Sequence, residues 1–280
     1  MDPLKTLVDN QTRADPAWLP EELRRLYDGD LVFTRRTDRP TVVANFVSSL
    51  DGVVSLNIPG RSGGGEISGH DSGDRLIMGL LRTVADAVVV GAGTLHGDPG
   101  HVRISRYIAP ELETLLSRWR QDRGLPSLPL NVIVSASGRV DLNEPTFHTP
   151  DLPTVIMTTL TGQQRLIRDH GQGVSATQVR VAGDEALLQP HDILNALHSE
   201  FGVQLLLHEG GPTLFGQFLK ERLIDELFLT IAPQIVGRSR DTRRLGLVEG
   251  AALAPETNSW WGVLSEKAAG SYRYFRLVTP

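Results

Sequence analysis

Cysteine is missing from all 280 residues of the chain. Its absence excludes disulfides, thiolate nucleophiles and thiolate zinc sites, and it fits a reducing compartment. An excess of positive charge is missing too. Lys and Arg number 28 against 33 Asp and Glu, for a formal net charge of −5 and a pI of about 5.9. No broad basic face is implied, so no nucleic-acid partner is expected. No apolar run reaches the roughly 18 residues that a membrane span requires. The stretch Met1 to Arg13 carries Asp2, Lys5, Asp9 and Arg13 and no apolar segment, so it does not read as a secretory signal. A cytoplasmic protein without a membrane partner is the expectation. The eight histidines contain no His-Glu-x-x-His and no paired ligand spacing, so no metal site is expected.

What is present is an ordinary globular composition, 40% hydrophobic and 22% charged, with room for a substantial core. Residues 1–39 are polar and read as an N-terminal extension packed on the body. One helix is predicted there over 17–27, opened by Asp15-Pro16 and stopped by Asp28-Gly29-Asp30. Residues 40–280 read as a single domain. Strands are predicted over 41–47, 87–90, 130–134, 154–158, 177–181, 203–207 and 226–231. Helices are predicted over 71–84, 110–120, 163–170, 192–201 and 214–222. This alternation implies an α/β fold with a mostly parallel sheet and helices on both faces. The segments 231–236 and 271–278 are β-rich with no helix between them, which suggests antiparallel strands at the sheet edge. Gly63-Gly64-Gly65 reads as a local flexible loop.

Two glycine turns follow buried strands. Leu205-Leu206-Leu207-His208 leads into Glu209-Gly210-Gly211-Pro212-Thr213-Leu214, with Pro212 where a first helical residue is expected. Exposed N–H groups at a helix start attract phosphate, and glycine admits a ligand close to the backbone. A plain strand-to-helix turn fits the same residues. Val88-Val89-Val90 leads into Gly91-Ala92-Gly93-Thr94, which is neither a Walker loop nor a complete dinucleotide fingerprint. Ligands of open α/β sheets sit beyond the carboxyl ends of the strands, so the two turns suggest one shared cleft. Ser135-Ala136-Ser137-Gly138-Arg139 reads equally as a solvated turn or as a holder of the 2′-phosphate of an NADP-type cofactor. Arg82 and Arg103 are candidate clamps for a substrate phosphate, or surface arginines. Ser48-Ser49-Leu50-Asp51-Gly52 reads first as a turn. The arginines at 238, 240, 243 and 244 suit a solvated loop, and Trp260-Trp261 a packing or dimer element.

The ordered set Ser49-Leu50-Asp51-Gly52, Leu81-Arg82…Asp86-Ala87, Val90-Gly91-Ala92-Gly93-Thr94…Asp98-Pro99…Arg103, Glu209-Gly210-Gly211-Pro212 and Asp225-Glu226-Leu227…Ala232-Pro233…Gly237 resembles the pyrimidine reductase domain of riboflavin biosynthesis, the RibD C-terminal family. The resemblance covers roughly residues 40–278. It implies a dihydrofolate-reductase-like three-layer fold and a homodimer. It also implies NADPH-dependent reduction of 5-amino-6-(5-phosphoribosylamino)uracil, or a related ribosylaminopyrimidine phosphate, at ribose C1′. By resemblance, Ser48, Gly91, Gly93, Thr94, Asp98 and the segment 211–217, with Pro212, Thr213, Leu214 and Phe215, line the NADPH site. Ser135 or Ser137, with Arg139, meets its adenosine end. Arg82 and Arg103 bind the substrate phosphate, and Glu209 and Glu66 face the substrate. Glu209 or Asp98 is the candidate acid for a proton. Family members usually carry lysine where this chain has Asn45, and Ser-x-Trp-Ile-Thr where it has Gly64-Gly65-Glu66-Ile67-Ser68. Those departures leave two alternatives open, reduction of a pterin and non-catalytic NADP(H) binding. The zinc deaminase domain often fused ahead of such reductases is absent from this sequence.

Overall fold

The computed structural model describes residues 2–11, 18–171, 179–184, 187–255, 257 and 259–279. Among them the chain runs β1 (Lys5–Asp9), α1 (Glu21–Tyr27), β2 (Thr41–Ser49), β3 (Val53–Ser55), α2 (Gly64–Ser68), α3 (Ser72–Val84), β4 (Ala87–Gly91) and α4 (Ala92–Gly97). It continues through α5 (Ser105–Ile108), α6 (Glu113–Asp122), β5 (Leu130–Val134), β6 (Thr154–Thr158), α7 (Leu160–His170), β7 (Val179–Val181) and α8 (Pro190–Phe201). It closes with β8 (Leu205–His208), α9 (Pro212–Lys220), β9 (Glu226–Ala232), β10 (Leu245–Gly246), β11 (Gly262–Ala269) and β12 (Tyr272–Val278). Ten strands form one sheet in the order β1-β11-β12-β9-β2-β8-β4-β5-β6-β7. From β9 to β7 every neighbour is parallel. β12, β11 and β1 extend the edge antiparallel.

The α/β expectation therefore holds, and the reason is visible in β2. All nine of its residues are buried. Val42, Ala44 and Phe46 point to one face, with α8 and α9, while Val43 points to the other, with α1, α3 and α6. A strand covered on both faces reads as a continuous apolar run, because alternate side chains enter different cores.

The N-terminal residues join the sheet edge, β1 pairing with β11. α1 begins at Glu21, later than predicted; Asp15, Pro16 and Ala17 lie outside the described residues, as do residues 177 and 178 of the predicted 177–181 strand. The predicted 231–236 strand stops at Ala232, because Pro233 has no N–H to offer a ladder. β11 was not predicted. Its buried Lys267, donating to Thr6 Oγ1 at 2.7 Å and lying over the Tyr27 ring, hides the apolar alternation. Gly63-Gly64-Gly65 is not a free loop either, since Gly64 opens α2 and a Cβ on Gly63 would sit 2.7 Å from Asp98 Cγ.

The turn after β5 is held by α7. A Cβ on Gly162 would overlap the Thr158 hydroxyl and lie 2.6 Å from the Ala136 carbonyl oxygen. Gly162→Ala is expected to cost about 1–3 kcal/mol through overpacking. A thermal midpoint equal to that of the wild type would refute this packing.

Candidate active site

β8 delivers its terminal histidine into the core. His208 is fully buried among the rings of Phe46, Phe215 and Phe218, and burial pushes its imidazole down to about 4, so it stays neutral. Its Nδ1 accepts from the Gly210 N–H at 3.2 Å. Gly210 then takes φ +97°, a conformation that only glycine adopts readily, and the Gly210–Gly211 peptide is cis. Pro212 opens α9 at its first turn. The Gly210 carbonyl accepts from the Gly91 N–H at 2.9 Å, so the structure brings the two glycine turns together. A Cβ on Gly211 would stand 2.8 Å from Thr94 Oγ1.

Beyond the carboxyl ends of β2, β4 and β8 lies a cavity of about 320 Å³. Gly91, Gly93, Thr94, Asp98, Gly210, Gly211, Pro212, Thr213 and Leu214 line it, as do Arg82, Arg103 and Glu209. Other predicted residues lie elsewhere. Ser48 is buried, its hydroxyl bonded to the Ser49 carbonyl at 2.9 Å. Phe215 is fully buried in the core behind the glycine wall. Glu66 is tied to Arg61 by two bonds of 3.1 and 2.8 Å. Ser135 follows β5 on the same sheet edge, since Gly91 pairs with Val134, and Ser137 and Arg139 share its turn.

The charged residues of the wall form a chain. Arg82 Nε and Nη2 donate to Glu209 Oε1 and Oε2 at 2.7 and 2.8 Å, with Arg82 fully buried. Arg82 also donates to the Ile104 carbonyl at 3.2 Å and reaches His101 Nε2 at 2.9 Å. His101 Nδ1 meets Asp98 Oδ2 at 2.9 Å. Burial pushes the Glu209 carboxyl up, but the charge and hydrogen bonds of Arg82, with Arg103 and His101, hold it below the ordinary range. Asp98 is lowered in the same way: burial is outweighed by the bond from His101 and the charges of Arg103 and Arg82. Both candidate acids are thus held as carboxylates, which accept hydrogen bonds and carry no proton to give. Arg103 differs from Arg82. It is buried, which lowers its affinity for its proton, and among the described residues its one side-chain bond is to the His101 carbonyl at 2.9 Å. Its remaining donors are free for an anion in the cavity that it lines.

Sequence reasoning left two wall residues without a role. Asn45 interrupts the apolar run of β2, and its Oδ1 is buried without a partner. A polar side chain inside a doubly covered strand was the available signal. His101 carries no local signal; its partners come from a helix and a loop. Among the described residues no helix is long and apolar enough to cross a membrane.

Residues 40–258 match the model of the RibD C-terminal domain. The chain is similar to the 2,5-diamino-6-ribosylamino-4(3H)-pyrimidinone 5′-phosphate reductase of Methanothermobacter thermautotrophicus, 30% identical over 214 residues, which is 76% of this chain and 86% of that one. It is 25% identical over 230 residues to the riboflavin biosynthesis protein RibD of Aquifex aeolicus, covering 81% of this chain and 55% of that protein, so it spans about half of that relative. Its fold is similar to that of a pyrimidine reductase-like protein from Corynebacterium diphtheriae, with a TM-score of 0.65 at 24% identity, covering 86% of this chain and 92% of that one.

Proposed function

The chain belongs to the RibD C-terminal domain family, and from that premise we propose that it is an NADPH-dependent oxidoreductase. Its substrate is 5-amino-6-(5-phosphoribosylamino)uracil or a closely related ribosylaminopyrimidine phosphate, reduced at ribose C1′ to the ribitylamino product. The observation that carries the reading is the cavity itself, lined both by glycine turns at the strand ends and by a buried arginine with free donors. The reading takes residues 40–280 as the reductase domain, with 1–39 packed on it, in a cytoplasmic homodimer.

The residues present fit a dinucleotide. Gly91, Gly93 and Gly211 leave the backbone bare, and the α9 N-terminus offers unpaired N–H groups and the positive end of its dipole to a diphosphate. Thr94, Thr213 and Leu214 complete that wall, with Ser48 and Phe215 behind it and Ser135, Ser137 and Arg139 at the adenosine end. The orphaned Asn45 Oδ1 offers an acceptor for a ligand N–H. When bound, the nicotinamide supplies a hydride.

The protein's own work is placement. Arg103 holds the substrate phosphate through charge-assisted bonds. Arg82 holds Glu209 rigid as an acceptor facing the substrate. Asp98 is a second acceptor. Reduction of a carbon–nitrogen double bond adds a hydride at carbon and a proton at nitrogen. With both carboxyl groups ionised, the proton comes from water. Fixing the reacting carbons in line is the larger contribution to rate.

The test is NADPH absorbance with the full chain and the ribosylaminopyrimidine phosphate. Absorbance is expected to fall only when both are present, and dihydrofolate is expected to give no turnover. A folded protein that binds NADPH yet leaves it unoxidised would overturn the reading.

A further inference from the structure

We infer that His101 is a positioning residue, which clamps Asp98 as a cavity-facing acceptor for an N–H or O–H group of the bound ligand. The inference rests on the reductase reading for its ligand, and on geometry for the clamp.

Both ring nitrogens of His101 are engaged. Nε2 lies 2.9 Å from Arg82 Nη2. A guanidinium has no lone pair, so Arg82 donates and Nε2 accepts. The ring proton therefore sits on Nδ1, the nitrogen that lies 2.9 Å from Asp98 Oδ2. Arg82 cannot turn away, because Glu209 and the Ile104 carbonyl hold its other nitrogens. Tyr107 packs on the imidazole with ring centroids 4.8 Å apart. On its far side the Asp98 carboxylate meets Gly63, where a Cβ would fall within 2.7 Å. The carboxylate is thus gripped between an imidazole N–H and bare backbone, while its side chain stays 31% exposed at the cavity.

The groups facing His101 fix its charge. From α3 comes Arg82, from its own loop Asp98 and Arg103, from α5 Tyr107, and from the end of β8 Glu209; the Glu144 carboxylate meets that loop at the Gly100 N–H, at 2.8 Å. Burial, and then the two arginines, disfavour the imidazolium against the pull of Asp98, so His101 is neutral and a donor to Asp98 only. Asp98 consequently receives a ligand hydrogen and does not supply one.

Two measurements test this. In kcat/KM profiles against pH, His101→Ala is expected to raise the KM of the pyrimidine substrate about tenfold and to move the acid limb to higher pH, because Asp98 loses its donor and protonates sooner. His101→Asn, whose amide still donates to Asp98, is expected to recover most of the KM and to return the limb. A merely structural loss would lower active enzyme without moving the limb. An unmoved limb and unchanged KM in His101→Ala would overturn the inference. The second measurement needs no turnover: long-range ¹H–¹⁵N spectra of the full chain are expected to show His101 as the Nδ1–H tautomer, titrating below ordinary histidine, with Asp98→Asn lowering that titration further and leaving the tautomer unchanged. An Nε2–H tautomer would overturn the clamp. If the wild type oxidises no NADPH, the reductase reading falls, and the spectra still decide this inference.

Discussion

Arg82→Met is expected to lower the unfolding free energy by about 3–5 kcal/mol in urea titrations at neutral pH. The pair it breaks is deeply buried: the Arg82 side chain is 1% exposed and that of Glu209 7%. Removing the cation leaves a carboxylate out of water with only the more distant Arg103 charge to balance it, and that desolvation is the larger part of the loss. Arg82→Met combined with Glu209→Leu is expected to recover most of the stability, since no charge then remains stranded. The pH dependence carries a sign. In the wild type the Glu209 carboxyl lies below its ordinary value, because burial is outweighed by Arg82. Its contribution is complete above the unfolded value of about 4.3 and fades as pH falls through the folded one. In Arg82→Met burial dominates and the carboxyl rises, so the penalty is full at neutral pH and shrinks on acidification. The gap between variant and wild type should therefore narrow from pH 7 to pH 5. A loss under roughly 1 kcal/mol, typical of an exposed pair, would show that the pair is not buried as described.

Arg103→Met is expected to act on the ligand and to leave the fold nearly intact. Arg103 is 3% exposed and lines the cavity, and among the described residues its one side-chain acceptor is the His101 carbonyl. Losing a buried arginine that grips a phosphate costs roughly 2–5 kcal/mol, so the KM of the phosphorylated substrate should rise about thirtyfold or more. The urea midpoint should stay or rise, because a buried and weakly partnered cation is removed. Arg103→Lys restores the charge without the planar fork and should recover only part of the KM. NADPH affinity, measured separately by fluorescence titration, should change little. A collapse of NADPH affinity with an unchanged substrate KM would reassign Arg103 to the cofactor.

The two arginines mark the boundary between what was legible and what was not. As letters in the sequence, Arg82 and Arg103 are equivalent phosphate clamps. The fold takes up the fork of one with Glu209, 127 positions away, and leaves the other facing the cavity. Asn45 and His101 show the same limit. The first was visible as a polar residue in an apolar strand; the second depends on partners from α3 and α5.

By itself the sequence determined the parallel core of the sheet, the two glycine turns and their place at strand ends. Those features follow from burial on both faces and from backbone conformations that glycine and proline dictate over a few residues. Only the tertiary structure decided how Glu209-Gly210-Gly211 meets Gly91, which arginine is neutralised, and how β11, with its buried Lys267, builds the edge that β1 completes. The reason is physical: a charged side chain's role is set by the partner that packing brings to it, and that partner lies far along the chain.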